Sequence, residues 1–118
     1  MLRRDLDEVL IHENKYKAGP YMTYVYDIQS NWVDKIPSLV HIDNTCRIQI
    51  IDESDKFMEK TLLTFKDKTG VPVLINTSLN LRGYPIARTP EDAISTFYTS
   101  AIDHLLFNER ILVRKVNR

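Results

Sequence analysis

The stretch from Val71 to Arg88 constrains this chain more than any other. It opens on an apolar run, Val71, Val73, Leu74 and Ile75, of the length expected of a buried strand. Gly70 just before it ends any preceding helix, and Pro72 is tolerated at the start of a strand. At Asn76 the run turns polar at once, through Thr77, Ser78 and Asn80, and two arginines, Arg82 and Arg88, flank a Gly83–Pro85 turn. A strand persisting to residue 78 puts Asn76 and Ser78 on one face, because side chains alternate. A strand that ends in amides and hydroxyls and runs on into cations suits an open α/β sheet presenting a site to an anionic ligand.

What precedes this stretch predicts how it is held. Thr45 to Ile51 alternates, with Cys46, Ile48 and Ile50 pointing one way and Thr45, Arg47 and Gln49 the other, so Arg47 stands off the core face. Leu39 to Ile42 is a first extended piece, joined to Thr45 through an Asp43-Asn44 bend, where Asn tolerates a left-handed backbone. Asp52 or Ser54 caps a helix running to about Thr69, with Met58, Leu62 and Phe65 on its apolar face. Strand, helix and strand over this length predict a βαβ unit in an α/β fold with a mixed open sheet. In that arrangement Asn76 and Ser78 lie at the carboxyl end of a parallel strand, with Arg47 on the neighbouring strand of the unit.

The flanks are less constraining. Residues 1–18 are highly charged, with Leu2, Leu6, Val9 and Leu10 at near-helical spacing, and read as a short amphipathic helix or a frayed end ahead of a domain at 19–118. Tyr21 to Ile28 reads as a strand, and Trp32 sits in the loop after it as a packing residue. Thr89-Pro90-Glu91-Asp92 is a helix start: threonine caps, proline takes the first position and two acids face the positive end. Ala93, Ile94, Phe97, Tyr98 and Ala101 make its apolar stripe. Leu105 to Phe107 and Ile111 to Val113 predict a hairpin turning near Asn108-Glu109.

Several classes of function are disfavoured. The chain has 118 residues, enough for one domain. Sixteen Lys and Arg balance sixteen Asp and Glu, so no bulk charge draws it to nucleic acid or membrane. Cys46 is the sole cysteine, which leaves no intrachain disulfide and no cysteine-rich metal site. The three glycines form no phosphate-binding loop, His12, His41 and His104 are scattered, and Ser78 lacks a nucleophile elbow. With no transmembrane-length run and no signal-like start, the expected compartment is the cytoplasm. Arg47, Asn76 and Ser78, with Arg82 and Arg88 following, support an anion pocket, since arginine binds phosphate or carboxylate through a rigid donor fork.

Three blocks carry a resemblance: His41-Ile42-Asp43-Asn44-Thr45-Cys46-Arg47-Ile48-Gln49, Thr69 to Ile86, and Thr89-Pro90-Glu91-Asp92-Ala93. In order and spacing they resemble the C-terminal region of the O-carbamoyltransferases, the nodulation and antibiotic-tailoring type, over about residues 19–115. The resemblance implies a YrdC-like α/β domain, here partial, that uses ATP and carbamoyl phosphate, with magnesium, to form carbamoyl-adenylate. A metal-binding actin-like domain then passes the carbamoyl group to a hydroxyl. It further implies that Arg47, Asn76 and Ser78 hold carbamoyl phosphate or the adenylate, with Thr45, Arg82 and Asp43 as supporting residues and no metal site in this chain. Asn44 stands where a glycine is usual, and Leu79 where a phenylalanine is. The basic phosphate-binding segment that full-length members carry upstream has no counterpart in residues 1–18. The chain is therefore expected to be a fragment, a separately encoded subunit or a reduced relative, inactive alone and meeting an actin-like partner or a second copy of itself. Other readings are a non-catalytic nucleotide- or anion-binding subunit of a larger assembly and, least favoured at zero net charge, an RNA-binding module.

Overall fold

The computed structural model describes residues 1–11, 19–52 and 54–116. Contacts divide the chain into two compact units, Met1–Ile75 and Asn76–Arg118. Helix and strand are mixed in both, and the sheets are small and antiparallel.

In the first unit a 3-10 turn, Arg3–Asp5, leads into a one-turn helix α1, Leu6–Val9. Their periodicity buries Leu2, Leu6, Val9 and Leu10, so the apolar residues of this charged segment belong to the core rather than to a loose end. The segment is stitched in by its backbone: Ile11 N–H donates to Asp27 O at 2.9 Å and Gln29 N–H to Val9 O at 2.9 Å. The remainder of the predicted N-terminal helix, residues 12–18, lies outside the described residues. Strand β1, Val25–Asp27, pairs antiparallel with β2, Thr45–Arg47, in the register Val25 to Arg47, Tyr26 to Cys46 and Asp27 to Thr45. Tyr26, Ile28, Cys46, Ile48 and Ile50 are buried, as the alternation predicts. The strand expected from Tyr21 pairs only from Val25, and Tyr21 and Tyr24 are exposed. Helix α2, Ser30–Val33, drives Trp32 into the core at 2% exposure, with Lys35 Nζ 4.3 Å from the ring centroid. The extended piece expected at Leu39–Ile42 is instead a 3-10 turn, Pro37–Leu39, followed by the bend, because Pro37 fixes a helical φ at its first position.

Helix α3, Lys56–Thr69, is capped by Asp55, whose Oδ1 accepts Met58 N–H at 2.9 Å. Neither Asp52 nor Ser54 caps it. A cap must reach an amide two or three residues into the helix, and Asp52 is spent on the Ser54 amide at 2.7 Å. Gly70, at φ 73°, closes the helix in the left-handed conformation that glycine adopts without strain. Leu62 is buried, and Lys66 Nζ donates to Asp5 Oδ1 and Glu8 Oε2, each at 2.7 Å.

The predicted βαβ unit is not formed among the described residues. Both sheets are two-stranded and antiparallel, and residues 71–75 pair with no strand. Pro72 has no N–H for a ladder, and Val71 N–H goes to Thr69 Oγ1 at 3.1 Å. Pro72 and Val73 are buried all the same, so the apolar run achieves its burial without a strand.

In the second unit helix α4, Pro90–Thr99, begins with a full capping box: Thr89 Oγ1 accepts Asp92 N–H and Asp92 Oδ2 accepts Thr89 N–H, both at 3.1 Å. Strands β3, His104–Phe107, and β4, Ile111–Arg114, form the predicted hairpin. Asn108 and Glu109 turn it with φ of 46° and 59°, the sign a turn matched to strand twist needs. Ala93, Phe97 and Leu105 make the core, with Leu79, Ala87, Phe107 and Val113 against it. Ile94, Tyr98 and Ala101, expected in the apolar stripe, are exposed, because one short hairpin covers only the Ala93–Phe97 face. Among the described residues no helix is long and apolar enough to cross a membrane.

Candidate functional site

In the first unit the site is a bend and the strand it feeds. His41 N–H donates to Thr45 O at 2.7 Å and Asn44 N–H to His41 O at 3.0 Å. Asn44 turns the bend at φ 60°, the left-handed conformation a glycine would supply, so asparagine serves there. Asp43 Oδ1 accepts the Thr45 amide at 3.2 Å and the Thr45 hydroxyl at 2.6 Å, and Thr45 Oγ1 also meets His41 Nδ1 at 2.9 Å. The Thr45 hydroxyl, reinforced by its amide, holds the exposed Asp43 carboxyl below the usual carboxylate range. Thr45 and Arg47 then fall on the outward face of β2, while Cys46 between them is buried. Arg47 is exposed opposite Val25, and no described residue hydrogen-bonds or ion-pairs with its guanidinium.

Asn76 and Ser78 belong to the second unit, so the expected pairing of their strand end with Arg47's inside one βαβ unit does not hold. Both are exposed and in no strand. Ser78 Oγ donates to Asn80 Oδ1 at 2.5 Å, and Asn80 Nδ2 donates to Tyr84 O at 3.0 Å, which ties the loop's two limbs together. Gly83, at φ 83°, makes the tip. Arg82 beside it is exposed, with no side-chain partner among the described residues.

The second unit also holds a groove of about 400 Å³ whose walls include Tyr84, Arg88, Asp92, Ser95, Thr96 and Thr99. Arg82 does not line it. The sequence carried a signal for this groove: Asp92, Ser95, Thr96 and Thr99 recur at helical spacing and make a hydroxyl-rich face. Attention to the apolar stripe alone misses it. His41 was likewise hidden, because its partner Thr45 meets it only once the bend is made.

The chain matches the carbamoyltransferase C-terminus family over residues 1–115, and it belongs to that family. The match begins ahead of Gly19, in keeping with the burial of Leu2, Leu6 and Val9. Relatives include nodulation protein NolO of Bradyrhizobium diazoefficiens, 32% identical over 115 residues that cover 97% of this chain and 21% of the relative. Nodulation protein U of Rhizobium tropici is 36% identical over 93 residues, 75% of this chain and 15% of its own length. Uncharacterized protein MJ1058 of Methanocaldococcus jannaschii is 39% identical over 107 residues, 90% of this chain and 17% of the relative. The chain therefore spans about a fifth or less of the length of these curated relatives.

Proposed function

We propose that this chain is the C-terminal portion of an ATP-dependent O-carbamoyltransferase and that it binds carbamoyl phosphate or carbamoyl-adenylate for transfer to a hydroxyl. The observation that carries the reading is the family match over residues 1–115. The Arg47 guanidinium, exposed and without a partner among the described residues, supports it as a donor fork suited to phosphate oxygens. Charge that develops on those oxygens is stabilised by positioned donors, without a covalent nucleophile. Thr45 and Asp43 hold the bend beside Arg47. Asp43, an acceptor-only carboxylate, shapes the loop rather than touching an anion.

In the second unit Asn76 and Ser78 keep the hydrogen-bonding role that the family resemblance implies. Because Ser78 gives its proton to Asn80, its oxygen is left as an acceptor for a ligand's donor group. Arg82 adds an exposed cation beside the loop tip. ATP brings magnesium on its phosphates. Transfer to the hydroxyl falls to the actin-like portion, as part of the same polypeptide or as a partner.

Arg47→Ala tests the reading. It should weaken carbamoyl phosphate binding about tenfold or more, the worth of a charge-assisted bond, by calorimetry or chemical-shift titration. A change under twofold returns Arg47 to an ordinary surface residue. The 118 residues alone should release no pyrophosphate from ATP with carbamoyl phosphate, and release at a steady rate would refute a division of labour with the rest of the enzyme.

A further inference from the structure

We infer that His41 is the residue that recognises the amide end of carbamoyl phosphate: Thr45 and Asp43 fix its imidazole tautomer with the proton on Nδ1, leaving Nε2 as a hydrogen-bond acceptor for a carbamoyl N–H. This rests on the function proposed above. The tautomer follows from counting protons. An ionised Asp43 can only accept, so the 2.6 Å bond from Thr45 Oγ1 uses the single hydroxyl proton of Thr45. The 2.9 Å contact between Thr45 Oγ1 and His41 Nδ1 then has one possible donor, the ring Nδ1–H. In the neutral imidazole the other nitrogen, Nε2, keeps its lone pair. A free histidine side chain in water favours the opposite tautomer, so the Asp43–Thr45–His41 chain reverses the ordinary preference.

The ring is also placed. The His41 backbone is pinned by bonds on both its N–H and its C=O, to Thr45 and Asn44. Thr45 and Arg47 share the outward face of β2, two residues apart, which is about 7 Å along a strand. A small molecule with a phosphate at one end and an amide at the other meets complementary groups here: the Arg47 fork donates to the phosphate and His41 Nε2 accepts from the amide. A second cation in place of His41 would add phosphate affinity but would not distinguish a carbamoyl group from any other acyl group. An acceptor does.

Thr45 acts through His41 and is a positioning residue. Long-range proton–nitrogen correlation spectra of the full chain read the His41 tautomer directly. Nδ1–H is expected in the unaltered chain and in Thr45→Ser, and Nε2–H in Thr45→Val. Titrations with carbamoyl phosphate and with acetyl phosphate, which carries a methyl where the amide stands, read the recognition. His41→Ala should weaken carbamoyl phosphate about fivefold more than acetyl phosphate, the worth of one hydrogen bond. An Nε2–H ring in the unaltered chain overturns the inference, as does an equal loss for the two phosphates. Binding of neither phosphate by the unaltered chain overturns the proposed function and the ligand assigned to His41 with it, even where the ring proves to be Nδ1–H.

Discussion

The two units bury an aromatic ring in the same way and support it very differently. In the first, Trp32 lies under Lys35 Nζ at 4.3 Å; in the second, Phe97 lies under Lys115 Nζ at 5.0 Å. Around Trp32 the core draws on distant parts of the sequence, from Leu6 and Leu10 through Tyr26 and Ile50 to Val73. Around Phe97 the buried members among the described residues are Ala93 and Leu105, with Leu79, Ala87, Phe107 and Val113 partly buried against them. The first unit is stabilised by breadth of burial, the second by local devices: a capping box, a matched turn and one ring. Breadth tolerates the loss of a member; a core with one large side chain does not.

The largest expected effect separates them on this ground. Phe97→Ala and Trp32→Ala each remove about 3–5 kcal/mol, but the consequences differ. Phe97→Ala should abolish hydrogen-exchange protection in the β3–β4 hairpin, whereas Trp32→Ala should weaken protection in β1 and β2 without abolishing it. The reverse pattern would break the comparison.

Next is an ion pair of the first unit, of a kind with no counterpart among the described residues of the second. Lys66→Met leaves Asp5, at 5% exposure, without its ammonium. The expected cost is about 1–3 kcal/mol, below that of a fully buried pair because the lysine is partly solvated. The bonds to Asp5 and then Glu8 raise the Lys66 ammonium above its ordinary 10.5. Its contribution is therefore complete below that value and lost as pH climbs through the higher folded one. A denaturation series should show an alkaline limb for β1 and β2 that is reduced in Lys66→Met, the remainder coming from Cys46 and Tyr26, whose ionisation burial holds back in the folded chain.

The smaller effects sharpen the account of the second unit. Thr89→Ala should cost about 1 kcal/mol through the lost cap, read in the melting of α4. Asp92 is held below its ordinary 3.8 by the Arg88 amide first and then by Thr89. Its stabilisation is present above that value and disappears as pH falls through the lower folded one, so α4 should fray at its start only under acid conditions. Asp43 and Asp52 are lowered by the same kind of bond and give the first unit an acid limb too, so the alkaline limb is the discriminating one.

Much of this was legible in the sequence wherever a local rule decides. The Thr89–Asp92 capping box, the Gly70 stop, the Asn44 bend, the Asn108-Glu109 turn and the alternation around Cys46 are each fixed by neighbours a few residues away. The reading failed where distant parts had to compete. Val71, Val73, Leu74 and Ile75 have the composition of a strand, yet burial alone satisfied Pro72 and Val73 and no ladder formed. That failure removed the parallel-strand argument for joining Asn76 and Ser78 to Arg47. Arg47's outward face survived, since it depends only on alternation within its own strand. The α4 groove and the His41–Thr45 contact escaped notice because each needs a turn to be folded before its members meet.

Cys46 carries one more consequence. Burial pushes its thiol up to about 11, so at neutral pH the sulfur is both protonated and out of reach of solvent. An aromatic disulfide reagent must wait for the β1–β2 ladder to part before it can react. The rate of colour release then works as a built-in clock for excursions of that half of the molecule, requiring no added label and blind to events around Phe97.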